Sequence, residues 1–252
     1  MPTTVEGMTS GTTTPRGGTP SLVLRAGLLV CPVRPWPRDP TIAQLVLYQT
    51  PPDAPVLDRW CSQIARQGYL GIRTTAVGER HLGTMNDAGF RSVQQLALLE
   101  HLTPRRRRRS PPCFVRRLEP ADLEVAADID ASAFEPGWQL DASGVVDACD
   151  ATPRHRARLA GRGDRADGYS VTGRDGRFVF LQRLAVRPEA RRQGLAMALV
   201  DDCLTWAARW QAQKVVVNTH TTNTAALALY ERAGFTLLPD RLHVFERQLV
   251  TA

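Results

Sequence analysis

The segment Arg191-Arg192-Gln193-Gly194-Leu195-Ala196 has the residue types of a phosphate cradle. It follows Leu184-Ala185-Val186-Arg187-Pro188, which reads as the end of a strand, and it leads into residues 196–211, whose apolar spacing predicts a long helix. A strand, a turn and a helix in that order present unpaired N–H groups at the helix start, where the helix dipole adds positive potential. Gly194 has no side chain and lets an anion reach the backbone, Ala196 is small, and Arg191 and Arg192 add charge. Taken alone, the same residues also fit an ordinary helix start with solvated arginines.

A second group lies one strand further on, after the β-branched run Val215-Val216-Val217. It reads Asn223-Thr224-Ala225-Ala226-Leu227-Ala228-Leu229-Tyr230-Glu231-Arg232-Ala233-Gly234-Phe235. The first group matches the pattern [Q/R]-x-x-G-x-[G/A] and the second matches N-x-x-A-x-x-L-Y-x-x-x-G-F. With both in this order and at this separation, residues 114–249 resemble the GCN5-related N-acetyltransferase (GNAT) superfamily; the likeness is weakest over residues 131–167.

The resemblance implies an acetyl-CoA or other acyl-CoA cosubstrate held where two parallel strands splay apart, here the strands ending near Val186 and starting near Val215. Backbone groups of Leu184, Ala185 and Val186 would bond the pantetheine arm. The amides of Arg191, Arg192, Gln193, Gly194, Leu195 and Ala196 would hold the pyrophosphate, and Asn223 would contact the pantetheine. Tyr230 would sit by the sulfur and protonate the leaving thiolate. The chemistry is direct transfer of an acyl group to a primary amine, which needs proximity, a base for the ammonium and an acid for the thiolate. The bland reading of Tyr230 is a half-buried core aromatic.

The proton acceptor is absent from its usual places. Ribosomal-protein N-terminal acetyltransferases, which this domain resembles in layout, carry a Glu twelve residues before the Tyr; that position is Asn218. Another family site lies on the central strand, four residues before Leu184, and is Phe180. His220 is a candidate because a neutral imidazole titrates in the right range; its alternative is a structural histidine. Glu135 and Asp141, in the loop expected to meet the acceptor, are weaker candidates. A water chain or a pre-deprotonated amine would need no base side chain at all.

The elements that must position these groups follow from the apolar patterns. Over 113–252 they predict β-α-α-β-β-β-α-β-α-β, with strands at 113–118, 156–160, 168–172, 178–186 and 215–217. The predicted helices open at Glu119-Pro120-Ala121-Asp122, at Asp141 or Ser143, and at Ala196 and Thr224. A hairpin turn is expected at Gly173-Arg174-Asp175-Gly176, and a closing hairpin over 235–249 with Pro239-Asp240 at its tip. The fold class is therefore α/β (α+β): a GNAT-like mixed, mostly antiparallel sheet with a splayed parallel strand pair and helices on both faces, plus a smaller N-terminal α/β subdomain.

In the first half, residues 22–33 and 42–48 look like strands, 53–67 like a helix opened by Asp58, 71–77 like a strand and 81–88 like a weak helix. Residues 90–102 are β-prone at the start and ambiguous later. In outline, 71–102 echoes 217–249: Asp87-Ala88-Gly89-Phe90 stands where Arg232-Ala233-Gly234-Phe235 stands. Gly78 replaces Asn223 and Met85 replaces Tyr230 at matching offsets, and no Arg-x-x-Gly-x-Ala turn lies upstream. The expectation is a degenerate, shortened GNAT repeat, similar in plan to tandem proteins such as mycothiol synthase; the alternative is chance similarity in a small α/β domain. The expected division is a disordered leader at 1–20, a small α/β subdomain at 21–103, an Arg/Pro-rich linker at 104–112 and the acyltransferase domain at 113–252.

Composition narrows the classes. Of 252 residues, 43% are hydrophobic and 23% charged, which is too apolar for overall disorder. The formal charge of +7 favours anionic partners, and CoA is one. Five cysteines without CxxC or zinc spacing read as free thiols in a reducing compartment, and no metal is expected. No apolar run approaches the roughly 18 residues that span a membrane; with no signal peptide visible either, a cytoplasmic protein is expected. The five arginines of 105–109 are a charge run, and nothing resembling a helix-turn-helix, zinc finger or aromatic RNA platform accompanies them. Nucleic acid is thus not the expected partner. The expected partner is an amine, either a small molecule or a protein N-terminus; the oligomeric state is left open. The alternative to an enzyme is a non-catalytic acyl-CoA sensor, since the usual base positions are empty.

Overall fold

A computed structural model describes residues 22–37, 39–47, 50–102 and 113–249. The leader at 1–20 and the linker at 104–112 with its arginine run lie outside these residues. The described chain divides into two compact units. Unit 1 holds residues 22–36, 40–47, 50–94 and 243–249, and unit 2 holds 37, 39, 95–102 and 113–242.

Unit 1 is built from β1 (Leu22–Ala26), β2 (Leu29–Trp36), β3 (Asp39–Leu45), α1 (Ala54–Ala65), β4 (Gly71–Thr74), the two-residue β5 (Val77–Gly78) and α2 (Leu82–Asp87). Two further strands, β6 (Arg91–Leu102) and β12 (Thr236–Gln248), contribute residues to both units. Residues 22–33, expected as one strand, are a hairpin, because Gly27 takes φ 57° and folds β1 back on β2. Asp53 rather than Asp58 opens α1: its carboxylate accepts from Val56 N at 3.1 Å, whereas Asp58 pairs with Arg247. Residues 91–102 are strand throughout. Leu57, Trp60 and Ile64 of α1 pack with Met85 of α2 over Leu24, Val33, Leu45 and Ile72 of the strands.

Unit 2 follows the predicted succession: β7 (Phe114–Arg117), α3 (Leu123–Ala133), α4 (Ala142–Asp150), β8 (Arg154–Arg162), β9 (Arg165–Asp175), β10 (Phe178–Val186), α5 (Leu195–Arg209), β11 (Lys214–His220), α6 (Thr224–Arg232) and β12. Its strand order is β12-β6-β11-β10-β9-β8-β7, and β10–β11 is a parallel pair among antiparallel neighbours. One face is covered by α3 and α4, through Ile129, Val145, Leu159 and Val171. The other is covered by α5 and α6, through Val200, Leu204, Val217 and Tyr230. The expected closing hairpin does not form: residues 236–248 are one strand, and the Arg241 guanidinium donates to the carbonyls of Leu238, Pro239 and Asp240 where a turn was read. Long-range pairing overrides the local turn signal. The turn between β9 and β10 is tighter than expected, with β9 running through Asp175 and Gly176 at φ 54°.

The two units share a plan. In each, an antiparallel hairpin is followed by a strand, a helix, a strand parallel to the last, and a second helix. In unit 1 the order is β1-β2-β3-α1-β4-β5-α2, with β5 only two residues long; in unit 2 it is β8-β9-β10-α5-β11-α6. Each parallel pair holds four registered positions, Ile42↔Gly71 to Leu45↔Thr74 and Phe178↔Lys214 to Leu181↔Val217. Among the described residues, unit 1 has no counterpart of α3 and α4.

The cysteines are all free, and four are buried. Burial pushes the thiols of Cys31 and Cys203 up to about 12 and those of Cys61 and Cys149 up to about 11, so they stay protonated and inert. No described helix is long and apolar enough to cross a membrane, and no group of three or more metal-ligating side chains occurs among the described residues.

Candidate active site

The β10–β11 pairing ends at Leu181↔Val217, yet both strands continue. β10 runs on against β9 to Val186↔Gly168, and β11 runs on against β6 to His220↔Leu96. The two strands therefore part, with no β11 residue registered opposite Leu184, Ala185 or Val186. The cause lies in β10: its register against β9 passes from Leu181↔Thr172 to Arg183↔Val171, so Gln182 is an extra residue that bends the strand at the fork.

The turn after β10 sits at the mouth of this wedge. Arg192 has φ 63° and Gly194 φ 88°, so two residues within three take the left-handed conformation. Backbone of this kind gathers successive N–H groups around one point. Gly194 is the N-cap of α5 and supplies no side chain to the first-turn amides, which leaves those of Leu195 and Ala196 for a ligand. Leu195 is buried with Ala160, Ala190 and Leu199 and anchors the turn. Gln193 is held at both ends, its carbonyl accepting from Arg162 at 3.1 Å and its amide donating to Glu189 O at 3.2 Å. Arg191 and Arg192 are exposed.

Across the wedge, Asn223 is the N-cap of α6, its Oδ1 accepting from Ala226 N at 3.1 Å. Its Nδ2 is not used in the cap. Tyr230 is 4% exposed, packed among the residues of the α5/α6 layer, with its ring centroid 5.6 Å from that of Phe235. Burial pushes its phenol pKa up, and the neighbouring Cys203 adds to the shift. The hydroxyl thus holds its proton through neutral pH, as a donor must.

His220 ends β11. Its Nδ1 accepts from Thr222 N at 3.3 Å and lies 2.7 Å from Thr222 Oγ1. A backbone N–H can only donate, so Nδ1 is the accepting nitrogen and the ring proton of the neutral form is on Nε2. In that tautomer the other nitrogen has no lone pair for an ammonium proton, and the arrangement is that of a turn histidine. Asp141 is also committed, capping α4 through Gly144 N and Ser143 Oγ, both at 2.8 Å. Glu135 is exposed in the loop after α3. Phe180 and Asn218 are half-buried and exposed.

Two groups escaped the sequence reading. Glu100 of β6 is registered opposite Val216, which is opposite Phe180. Cross-strand partners share a face, so Glu100 stands on the face of Phe180, away from α5 and α6. Lys214 Nζ donates to it at 3.1 Å. A carboxylate thus stands on the face of Phe180, brought by a strand over a hundred residues upstream. The second group is Asp130 with Tyr169 and Arg183. Asp130 is fully buried, Tyr169 Oη donates to its Oδ2 at 2.6 Å, and Arg183 forks onto both oxygens at 2.7 Å. Burial, with Asp130 next in weight, holds the Tyr169 phenol pKa well above its usual value. The signal for this cluster was present: Asp130 falls four residues after Ala126 on the apolar stripe of α3, where a charge needs a partner.

Residues 126–235 match the profile of the acetyltransferase (GNAT) family. No curated protein matches the chain by sequence. Solved structures resemble it in fold. A tandem GNAT protein from the clavulanic acid biosynthesis pathway aligns at a TM-score of 0.63 and 12% identity, covering 91% of this chain and 82% of its own. A GCN5-related N-acetyltransferase from Kribbella flavida gives 0.60 and 15%, covering 89% and 88%. One from Sphaerobacter thermophilus gives 0.57 and 16%, covering 87% and 76%.

Proposed function

We propose, from the match of residues 126–235 to the acetyltransferase (GNAT) family model, that the chain transfers an acetyl group from acetyl-CoA to a primary amine. The observation that carries the reading is the fork between β10 and β11 with an uncapped helix N-terminus at its mouth. The pantetheine arm takes the place of the missing strand neighbour along Leu184, Ala185 and Val186, with Asn223 Nδ2 as a further donor. The pyrophosphate is held by the amides from Arg191 to Ala196, with Arg191 and Arg192 adding charge. The amine attacks the thioester carbonyl, the C–S bond breaks as the tetrahedral intermediate collapses, and Tyr230 gives its proton to the departing thiolate. The ammonium proton leaves by water to Glu100, the carboxylate on the acceptor face; His220 serves only if its ring turns away from Thr222.

Unit 1 fits a degenerate repeat that binds no cosubstrate. Where β10 and β11 part, β3 and β4 are stitched: Thr75 N donates to Leu45 O at 3.1 Å, and Thr75 Oγ1 accepts from Leu47 N at 2.9 Å and donates to Leu47 O at 3.0 Å. One hydroxyl thus fills the hydrogen bonds that a pantetheine would take. The tandem plan of the clavulanic acid pathway protein supports this reading.

A second reading, an acyl-CoA sensor, draws on the empty positions at Phe180 and Asn218. One experiment separates the two: acetyl-CoA binding by calorimetry, together with CoA release over a panel of amines and peptides. Turnover that falls on Tyr230→Phe supports the enzyme. Binding without turnover on any acceptor, indifferent to that substitution, supports the sensor.

A further inference from the structure

The loop between α3 and α4, residues 134–140, is fixed at its ends and exposed at its tip. At the start, Phe134 N donates to Asp130 O at 3.1 Å. At the end, Leu140 N donates to Asp130 Oδ1 at 2.6 Å. Gln139 Nε2 ties the loop to Ala131 O and Phe134 O at 2.7 and 3.1 Å. Arg183 completes the anchor, with Nη2 donating to Trp138 O at 2.8 Å and the guanidinium 3.5 Å from the Phe134 ring centroid. Between these points Glu135, Pro136 and Gly137 are exposed.

What makes this more than core packing is where Arg183 stands. It is the residue after the Gln182 bulge, on the stretch of β10 that β11 no longer accompanies. The strand wall of the wedge and the loop are therefore joined through one side chain. A fully buried carboxylate and a guanidinium are a costly way to hold a helix to a sheet, since apolar residues of similar volume often do as well. A planar fork, however, fixes direction as well as distance. We propose that Arg183 and Asp130 are positioning residues that hold the loop 134–140 at the acceptor side of the wedge. They set acceptor affinity and selection without touching the donor. The inference rests on the acyltransferase reading above.

Removing either partner alone strands a buried charge and endangers folding, so the test uses two designs. Arg183→Lys keeps the charge beside Asp130 but loses the fork and the bond to Trp138 O. The double variant Asp130→Leu/Arg183→Met removes both charges in apolar exchange, at the smaller cost of leaving the Tyr169 hydroxyl without its acceptor. For both, acetyl-CoA affinity by calorimetry is expected within about 2-fold of wild type. The acceptor KM is expected to rise about 10-fold or more, with a flatter preference over the amine panel and a smaller loss in the Lys variant. Hydrogen exchange at Trp138, Gln139 and Leu140 is expected to accelerate in the double variant. Unchanged acceptor kinetics in folded variants overturn the proposal, as does an acetyl-CoA affinity that falls in step with the acceptor KM. A wild-type chain that binds no acetyl-CoA and releases no CoA with any amine overturns the acyltransferase reading, and this proposal with it.

Discussion

Gly194→Glu tests the cradle through two physical effects that can be separated. Gly194 has φ 88°, and a side chain there costs about 1–2 kcal/mol of backbone strain. For a chain of this size that lowers Tm by about 2–8 °C. Gly194→Ala carries the same strain without charge and serves as the control. The second effect belongs to the carboxylate. From the N-cap position it reaches the first-turn amides and occupies the donors that the pyrophosphate needs. A charge about 5 Å from a phosphate at an effective dielectric of about 20 adds repulsion of about 3 kcal/mol, or roughly two decades in Kd, and less as salt screens it. Calorimetry with acetyl-CoA on folded protein is expected to give a Kd about 100-fold weaker for the Glu variant, with a visible salt dependence, and only a few-fold weaker for Ala. A Glu variant that melts as a folded protein and binds within about 3-fold of wild type would refute the assignment of the cradle to this turn.

Three further outcomes are expected. Tyr230→Phe keeps the buried ring and loses the proton donor, so kcat should fall about 10²-fold or more while the acetyl-CoA Kd holds; an unchanged kcat would make Tyr230 a core aromatic only. Glu100→Gln should lower kcat/KM about 10²-fold near neutral pH and recover at alkaline pH, where the amine arrives deprotonated; a parallel pH–rate profile would show that the proton leaves by another route. Thr75→Val removes the stitch between β3 and β4 and orphans Leu47 N–H and C=O, at a cost of about 1–3 kcal/mol in urea titration, with acetyl-CoA binding untouched; equal stability would remove the reason given for the closed fork of unit 1.

Local physics made much of this chain readable in advance. The bounds of β10 and α6 coincide with those read from the sequence, because Gly176, Asn223 and Gly234 act within a few residues of themselves. The same holds for Asp141 at the start of α4 and for the capping box of Glu119 and Asp122. The turn at Arg191–Ala196 was readable as a helix start, and its left-handed Gly194 is what that residue type permits. Where local signals competed with distant partners, they failed. Pro239-Asp240 reads as a turn, yet the residues around it extend as one strand.

What the sequence by itself determined is the succession of elements over residues 113–235 and the pair of motifs. Only the tertiary structure decided which strand lies beside β11 and therefore that Glu100 stands on the face of Phe180, since alternation tells which side chains share a face but never names the neighbouring strand. It alone decided that Arg183 meets Asp130 across 53 residues, that Gln182 bulges to open the wedge, and that Thr75 closes the equivalent place in unit 1. Caps and turns are satisfied by atoms that the chain brings along with them. Strand partners and buried charges are satisfied by atoms that arrive only when distant segments meet.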